Sequence, residues 1–125
     1  MMAEKEKMIK LYFESWLKKD AAILENIFDK DIVYRERYGP EYHGIGQIKS
    51  WFADWNRRGT VLQWDIKQFI HQENKIAVEW YFQSEYDGVT DCFDGVSLVL
   101  FNDTGKIVHL KEFQSKAEHI YPYGK

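Results

Sequence analysis

Glu36 is the residue of this chain most in need of a chemical explanation. It lies in "DIVYRERYGP", Asp31 to Pro40. Read as a strand, this stretch puts Ile32, Tyr34, Glu36 and Tyr38 on one face and Val33, Arg35 and Arg37 on the other. The aromatic face belongs inside, and a carboxylate goes in with it. An ionised Glu is rarely buried without a partner. Desolvation by Tyr34, Tyr38 and nearby tryptophans raises such a carboxyl toward neutrality, where it can work as a general base or an acid–base shuttle. The plain alternative is a rim carboxylate paired with Arg35, Arg37 or His43.

Other chemistry-bearing patterns are sparse. His43 precedes a helix and can overhang a site, His71 flanks a hairpin, His109 has outward parity and His119 lies in the tail. None pairs with an acid by spacing. No His/Asp/Glu set has ligand spacing such as HExxH, so no metal is expected. "GIG" at 44–46 opens a helix outside any βαβ pattern, and no phosphate loop or cofactor is expected.

The elements that must position Glu36 follow from periodicity. A helix is predicted over residues 3–19, with Ile9, Tyr12, Phe13, Trp16 and Leu17 as its stripe. Asp20 caps a short second helix running through Phe28. The Glu36 strand ends at Gly39-Pro40. A third helix, "GIGQIKSWFADWNRRG", carries Ile45, Ile48, Trp51, Phe52 and Trp55, with Gly59 at its C′ position. Four strands joined by short turns complete the chain: "TVLQWDIKQFIHQ", "IAVEWYFQSEY", "TDCFDGVSLVLF" and "KIVHLKEFQS". Helices segregated from an antiparallel meander indicate an α+β domain over residues 1–125.

Composition sets the outer limits. The 125 residues are 45% hydrophobic and 30% charged, as in a globular protein. Aromatics reach 17%, enough to fill a core or to line a pocket. The formal net charge of -3, with no basic stripe, argues against nucleic acid. Cys92 is alone, the N-terminus has no signal-peptide pattern, and no apolar run suits a membrane, so a cytoplasmic protein is expected.

The order of elements, with "DIVY…YHGIGQIKSWF", "VEWYF", "FDGVSLVLFNDTGKI" and "LKEF", resembles the nuclear transport factor 2-like superfamily over essentially the whole chain, and in particular its SnoaL-like branch. The resemblance implies a cone: a curved antiparallel sheet wrapped round three N-terminal helices. Ketosteroid isomerase, polyketide cyclases and non-enzymatic binders share this fold, so fold does not give function. By resemblance to the isomerase, Tyr12 falls at its oxyanion-hole tyrosine and Glu36 at its proton-shuttling aspartate. Ser97 falls where that enzyme has a protonated aspartate, a departure that speaks against steroid isomerisation. The same comparison implies an interior lined by Trp16, Phe28, Tyr34, Tyr38, Trp51, Phe52, Trp55, Trp80, Phe82, Phe93, Ser97 and Glu112. Val78, Ser84, Val99, Phe101, Leu110 and Gln114 share the inward parity. Asp94, in "FDG", has outward parity and is expected at a bulge or across a dimer.

Two readings follow. One is a pocket for a small apolar or aromatic ligand, acting by cofactor-free proton transfer (isomerisation, dehydration or cyclisation) with Glu36 as base and Tyr12 as donor. The other is a non-catalytic binding or interaction module. Either is expected to be a homodimer through the outer sheet face, using Tyr81, Val96, Leu98 and Phe113, because three helices cover only one face.

Overall fold

The computed structural model describes residues 2–124; Met1 and Lys125, the ends of the expected domain, lie outside the described residues. Helix α1 (Met2–Lys18) buries Ile9, Tyr12, Phe13 and Trp16, the helical spacing that forms one stripe. Asp20 accepts a hydrogen bond from the Ala22 N–H at 3.0 Å and starts a 3-10 turn, Ala21–Ile23. That turn runs into a one-turn helix α2 (Leu24–Ile27). The second helix therefore stops before Phe28, which instead opens strand β1 (Phe28–Arg35). A three-residue strand β2 (Glu41–His43), unexpected from the sequence, hairpins back onto β1 and precedes α3 (Ile45–Arg58).

The remaining strands are β3 (Gly59–Gln72), β4 (Lys75–Tyr86), β5 (Val89–Phe101) and β6 (Ile107–Lys116). They form one sheet with β1 and β2, in the order β2-β1-β6-β5-β4-β3. One pairing departs from the all-antiparallel expectation: β1 runs parallel to β6. Hairpins force neighbours to be antiparallel, but β1 and β6 are separated by the rest of the chain, and nothing local sets their relative direction. Among the described residues no helix is long and apolar enough to cross a membrane.

Two register shifts in β3, at Val61/Gln63 and Ile66/Gln68, mark bulges, which bend a strand and increase its twist. The first one breaks the simple alternation. Val61 and Trp64 are both buried, while Leu62, which strict alternation would put on the same side as Trp64, is 48% exposed. Gly59 ends α3 in extended rather than left-handed backbone. It is a glycine for space: a Cβ there would come within 2.7 Å of the Tyr86 ring and 2.9 Å of Trp55.

The outer face carries Tyr81, Val96, Leu98 and Phe113, of which Leu98 and Phe113 are about half exposed. Asp94 is not at a bulge, since the register through β4, β5 and β6 is continuous there. It accepts a hydrogen bond from the Lys67 ammonium at 3.0 Å.

Candidate functional site

The inner face of the sheet, α1 and α3 line a cavity of about 630 Å³. Its floor is a chain of three polar groups from three elements. The Tyr12 hydroxyl of α1 donates to the Tyr34 hydroxyl of β1 at 2.7 Å, and Tyr34 donates to Glu112 Oε2 of β6 at 2.5 Å. The parallel ladder makes this meeting possible. Tyr34 pairs with Leu110 and Arg35 with Lys111, and the chain beyond that register carries Glu36 to the same cavity as Glu112, near enough to act on it.

Glu36 is 5% exposed although β1 has ended one residue earlier. The chain turns there: the Glu36 N–H donates to the Pro40 carbonyl, and the Gly39 N–H to the Glu36 carbonyl. Glu36 accepts a hydrogen bond from the Tyr42 hydroxyl at 2.6 Å, and Tyr38 supplies a second hydroxyl. Tyr42 stacks on Trp51 at 4.6 Å, which fixes its ring. Of the ion-pair partners expected for a rim carboxylate, Arg35 and His43 instead bond Glu41, at 3.1 and 2.8 Å.

Both carboxyls are pushed upward, and burial is the main cause for each. Glu112 rises to about 7; Glu36 adds to the rise, while Tyr34, Arg37 and the Arg37 backbone N–H oppose it. Glu36 is raised by a smaller amount, against Tyr42, Arg37 and Tyr38, which hold it down. Burial drives the Tyr12 and Tyr34 hydroxyls well above their usual range, with the Glu112 charge adding to it. Glu36 acts on Glu112, so the two raised carboxyls titrate as an interacting pair.

The wall is aromatic. Trp16, Trp51 and Trp55 come from the helices, and Trp64, Trp80, Phe82 and Phe93 from the sheet. The protein has 5 Trp, and all of them line this cavity, so intrinsic fluorescence reports on its contents. The indole N–H groups of Trp16 and Trp64 are buried without a hydrogen-bond partner; that of Trp16 acts on the Tyr12 hydroxyl but lies outside bonding geometry.

Of the residues expected inside, Tyr12, Trp16, Tyr34, Glu36, Tyr38, Trp51, Trp55, Trp80, Phe82, Phe93 and Glu112 come together on the cavity surface. Phe28, Phe52 and Ser97 do not. Phe28 packs edge-on against Tyr12 at 4.9 Å, and Phe52 against Trp16 at 4.5 Å, both within the core. Ser97 accepts the Trp80 indole N–H at 3.0 Å, so its hydroxyl orients a wall residue from behind. Tyr38, 63% exposed, stands at the mouth.

Arg37, expected from the sequence only as an ion-pair partner for Glu36, has a strand parity that points outward, and its charge does act on Glu36. The turn after Glu36 carries it to the mouth. There its guanidinium lies 4.2 Å from the Phe93 ring centre and donates to Gln114 at 2.8 Å. Tyr42 was missed because β2 is too short to carry a pattern. The hairpin that brings Tyr86, Asp87 and Asp91 to the rim was legible only as a turn. Among the described residues no group of three or more His, Cys, Asp or Glu side chains converges to hold a metal ion.

Comparison with known proteins adds the family and the fold. The model of the SnoaL-like domain matches residues 9–110. No curated protein matches the chain in sequence. Among solved structures, an LEH-like epoxide hydrolase from M. tuberculosis has a TM-score of 0.80 at 12% identity, over 90% of this chain and 84% of that one. A proposed polyketide cyclase from Xanthomonas campestris pv. campestris has a TM-score of 0.78 at 17% identity, covering 90% and 91%. A protein with a ketosteroid isomerase-like fold from Catenulispora acidiphila, in complex with trimethylamine, has a TM-score of 0.76 at 15% identity, covering 88% and 85%. At these identities the likeness is one of fold.

Proposed function

This chain belongs to the SnoaL-like domain family, and from that premise we propose that it binds a mostly apolar, ring-containing small molecule with one or two oxygens and acts on it by cofactor-free proton transfer. One observation carries the reading: an aromatic-walled cavity of about 630 Å³ has two buried carboxyls in its lining, both raised. The volume suits a drug-sized ligand. Glu36 is the base, the Tyr12 hydroxyl donates to the ligand oxygen as charge develops there, and Glu112 stands behind Tyr12 through Tyr34. Isomerisation, dehydration and cyclisation all begin with such a step. That a relative of the same fold is solved with trimethylamine supports a small organic molecule as the occupant.

Acetylnaphthalene serves as a probe of both binding and chemistry. It is expected to quench the tryptophan fluorescence. In heavy water the protein is expected to catalyse deuterium exchange at the acetyl methyl: Glu36 takes a methyl proton, the enolate oxygen receives the Tyr12 hydrogen bond, and a deuteron returns to carbon. Glu36→Gln is expected to slow exchange by about a hundred-fold while leaving quenching nearly intact. Unchanged exchange in that variant removes Glu36 as the base.

The half-exposed Leu98 and Phe113 support a homodimer through the outer sheet face, with Tyr81 and Val96. Sedimentation at micromolar concentration is expected to give a dimer, and Leu98→Lys a monomer. A wild-type monomer removes this part of the reading.

A further inference from the structure

We propose that Glu112 decides which ligand chemistry the cavity accepts, by setting through Tyr34 the direction in which the Tyr12 hydroxyl points its proton. The inference rests on the pocket reading above and adds to it the ligand's hydrogen-bonding class and its proton linkage.

Each hydroxyl in the floor chain has one proton to give. While Glu112 is ionised it can only accept, so Tyr34 must donate to it across 2.5 Å. Tyr12 then gives its proton to the Tyr34 oxygen across 2.7 Å. In that state Tyr12 turns only lone pairs toward the cavity that it lines. A ligand hydroxyl or amine finds an acceptor there, and a carbonyl finds nothing. With a proton on Glu112 the order reverses without moving a heavy atom: the carboxyl donates to Tyr34, Tyr34 donates to Tyr12, and the Tyr12 proton is free for the cavity. A carbonyl oxygen is then held. Above neutral pH, binding a carbonyl ligand therefore takes up one proton, and binding a donor ligand takes up none.

The buried indole N–H groups of Trp16 and Trp64, on the same wall, have no hydrogen-bond partner. The groups that act on Glu112 are Tyr34 from β1 and Glu36 and Arg37 from the turn after it, and the Glu112 charge in turn acts on Tyr12 from α1 and Tyr42 from β2. Ser97, opposite Glu112 on β5, carries no charge. Glu36 favours the protonated form and Arg37 the ionised one, and burial gives the advantage to the proton, with Glu112 at about 7.

The first arm of the test needs no ligand. Glu carboxyl and Tyr ring carbons are labelled, the signals are assigned with Glu112→Gln and Tyr34→Phe, and wild-type protein is titrated by NMR. Glu112 is expected to titrate near neutrality, with Tyr12 and Tyr34 following at the same midpoint. Titration in the ordinary carboxylate range, or a Tyr12 signal that ignores Glu112, overturns the proposal.

The second arm compares naphthalene with acetylnaphthalene, neither of which ionises, by fluorescence quenching. Relative to naphthalene, acetylnaphthalene is expected to bind about ten-fold more weakly at about pH 8 than at about pH 6, the ratio of protonated fractions. In Tyr34→Phe the Tyr12 proton has no internal acceptor, and in Glu112→Gln the amide donates to Tyr34 at every pH. Both variants are expected to abolish the dependence. Acetylnaphthalene tracking naphthalene at all pH values overturns the proposal and leaves the pocket standing. Failure of both probes to bind counts against the pocket, while the NMR titration still decides the direction of the chain.

Discussion

Glu112→Gln is expected to stabilise the fold by about 3 kcal/mol at about pH 8 and to change it little at about pH 4. The sign follows from the carboxyl being raised from its ordinary 4.5 to about 7. Below 4.5 the group is neutral in both folded and unfolded chain, and its burial costs no charge. As pH rises from 4.5 to about 7 the unfolded chain releases the proton and the folded chain keeps it, so wild-type stability falls through that window and is level above it. Glutamine has the shape of the protonated carboxyl and never acquires the charge. Urea midpoints of the two proteins across this range measure the effect. A variant that loses stability at pH 8 would mean that Tyr34 and Arg37 repay the buried charge in full. The floor chain would then remain in its Glu112-anion direction at all working pH values.

Gly95→Ala is expected to cost about 3 kcal/mol, at the upper end for overpacking, because two unyielding neighbours occupy the space a methyl would need. A Cβ at Gly95 would lie 2.3 Å from Trp80 Cη2 and 2.7 Å from the Phe113 carbonyl oxygen. The Phe113 oxygen belongs to the β6 backbone. Trp80 is held by its bond to Ser97 and by ring contacts with Trp64 and Phe93, and it forms part of the cavity wall. The substitution is therefore expected to weaken acetylnaphthalene binding as well as stability. Gly95→Ala combined with Trp80→Leu should lose less than the sum of the two single changes. An unshifted urea midpoint in Gly95→Ala would show that strand and indole move apart freely.

Much of this arrangement was legible before folding was considered. Alternation put Trp80 and Phe82 on one face of β4, with Phe93 on one face of β5, and the family resemblance implied that those faces are the inner ones; a strand buried on one face leaves its side chains no other register. Helical spacing did the same for Trp16, Trp51 and Trp55. The same alternation carried Glu36 inward, and there it lies. Alternation failed where the backbone stopped being regular. The bulge in β3 turned Leu62 out and kept both Val61 and Trp64 in. The turn after Arg35 swung Arg37 to the mouth.

Local pattern thus determined the elements and put Glu36 on the aromatic face of its segment, since both depend on residues a few positions apart. Tertiary structure alone decided what that acid would meet. Tyr12, Tyr34 and Glu112 are separated by 22 and 78 residues, and they form one chain because β1 lies parallel to β6 in a particular register with α1 across them. No periodicity within a segment encodes a register between segments. The sequence therefore marked Glu36 as an inward acid and the resemblance added Glu112 as a second one, while the fold raised the proton affinity of both by burial and tied Glu112 through Tyr34 to Tyr12.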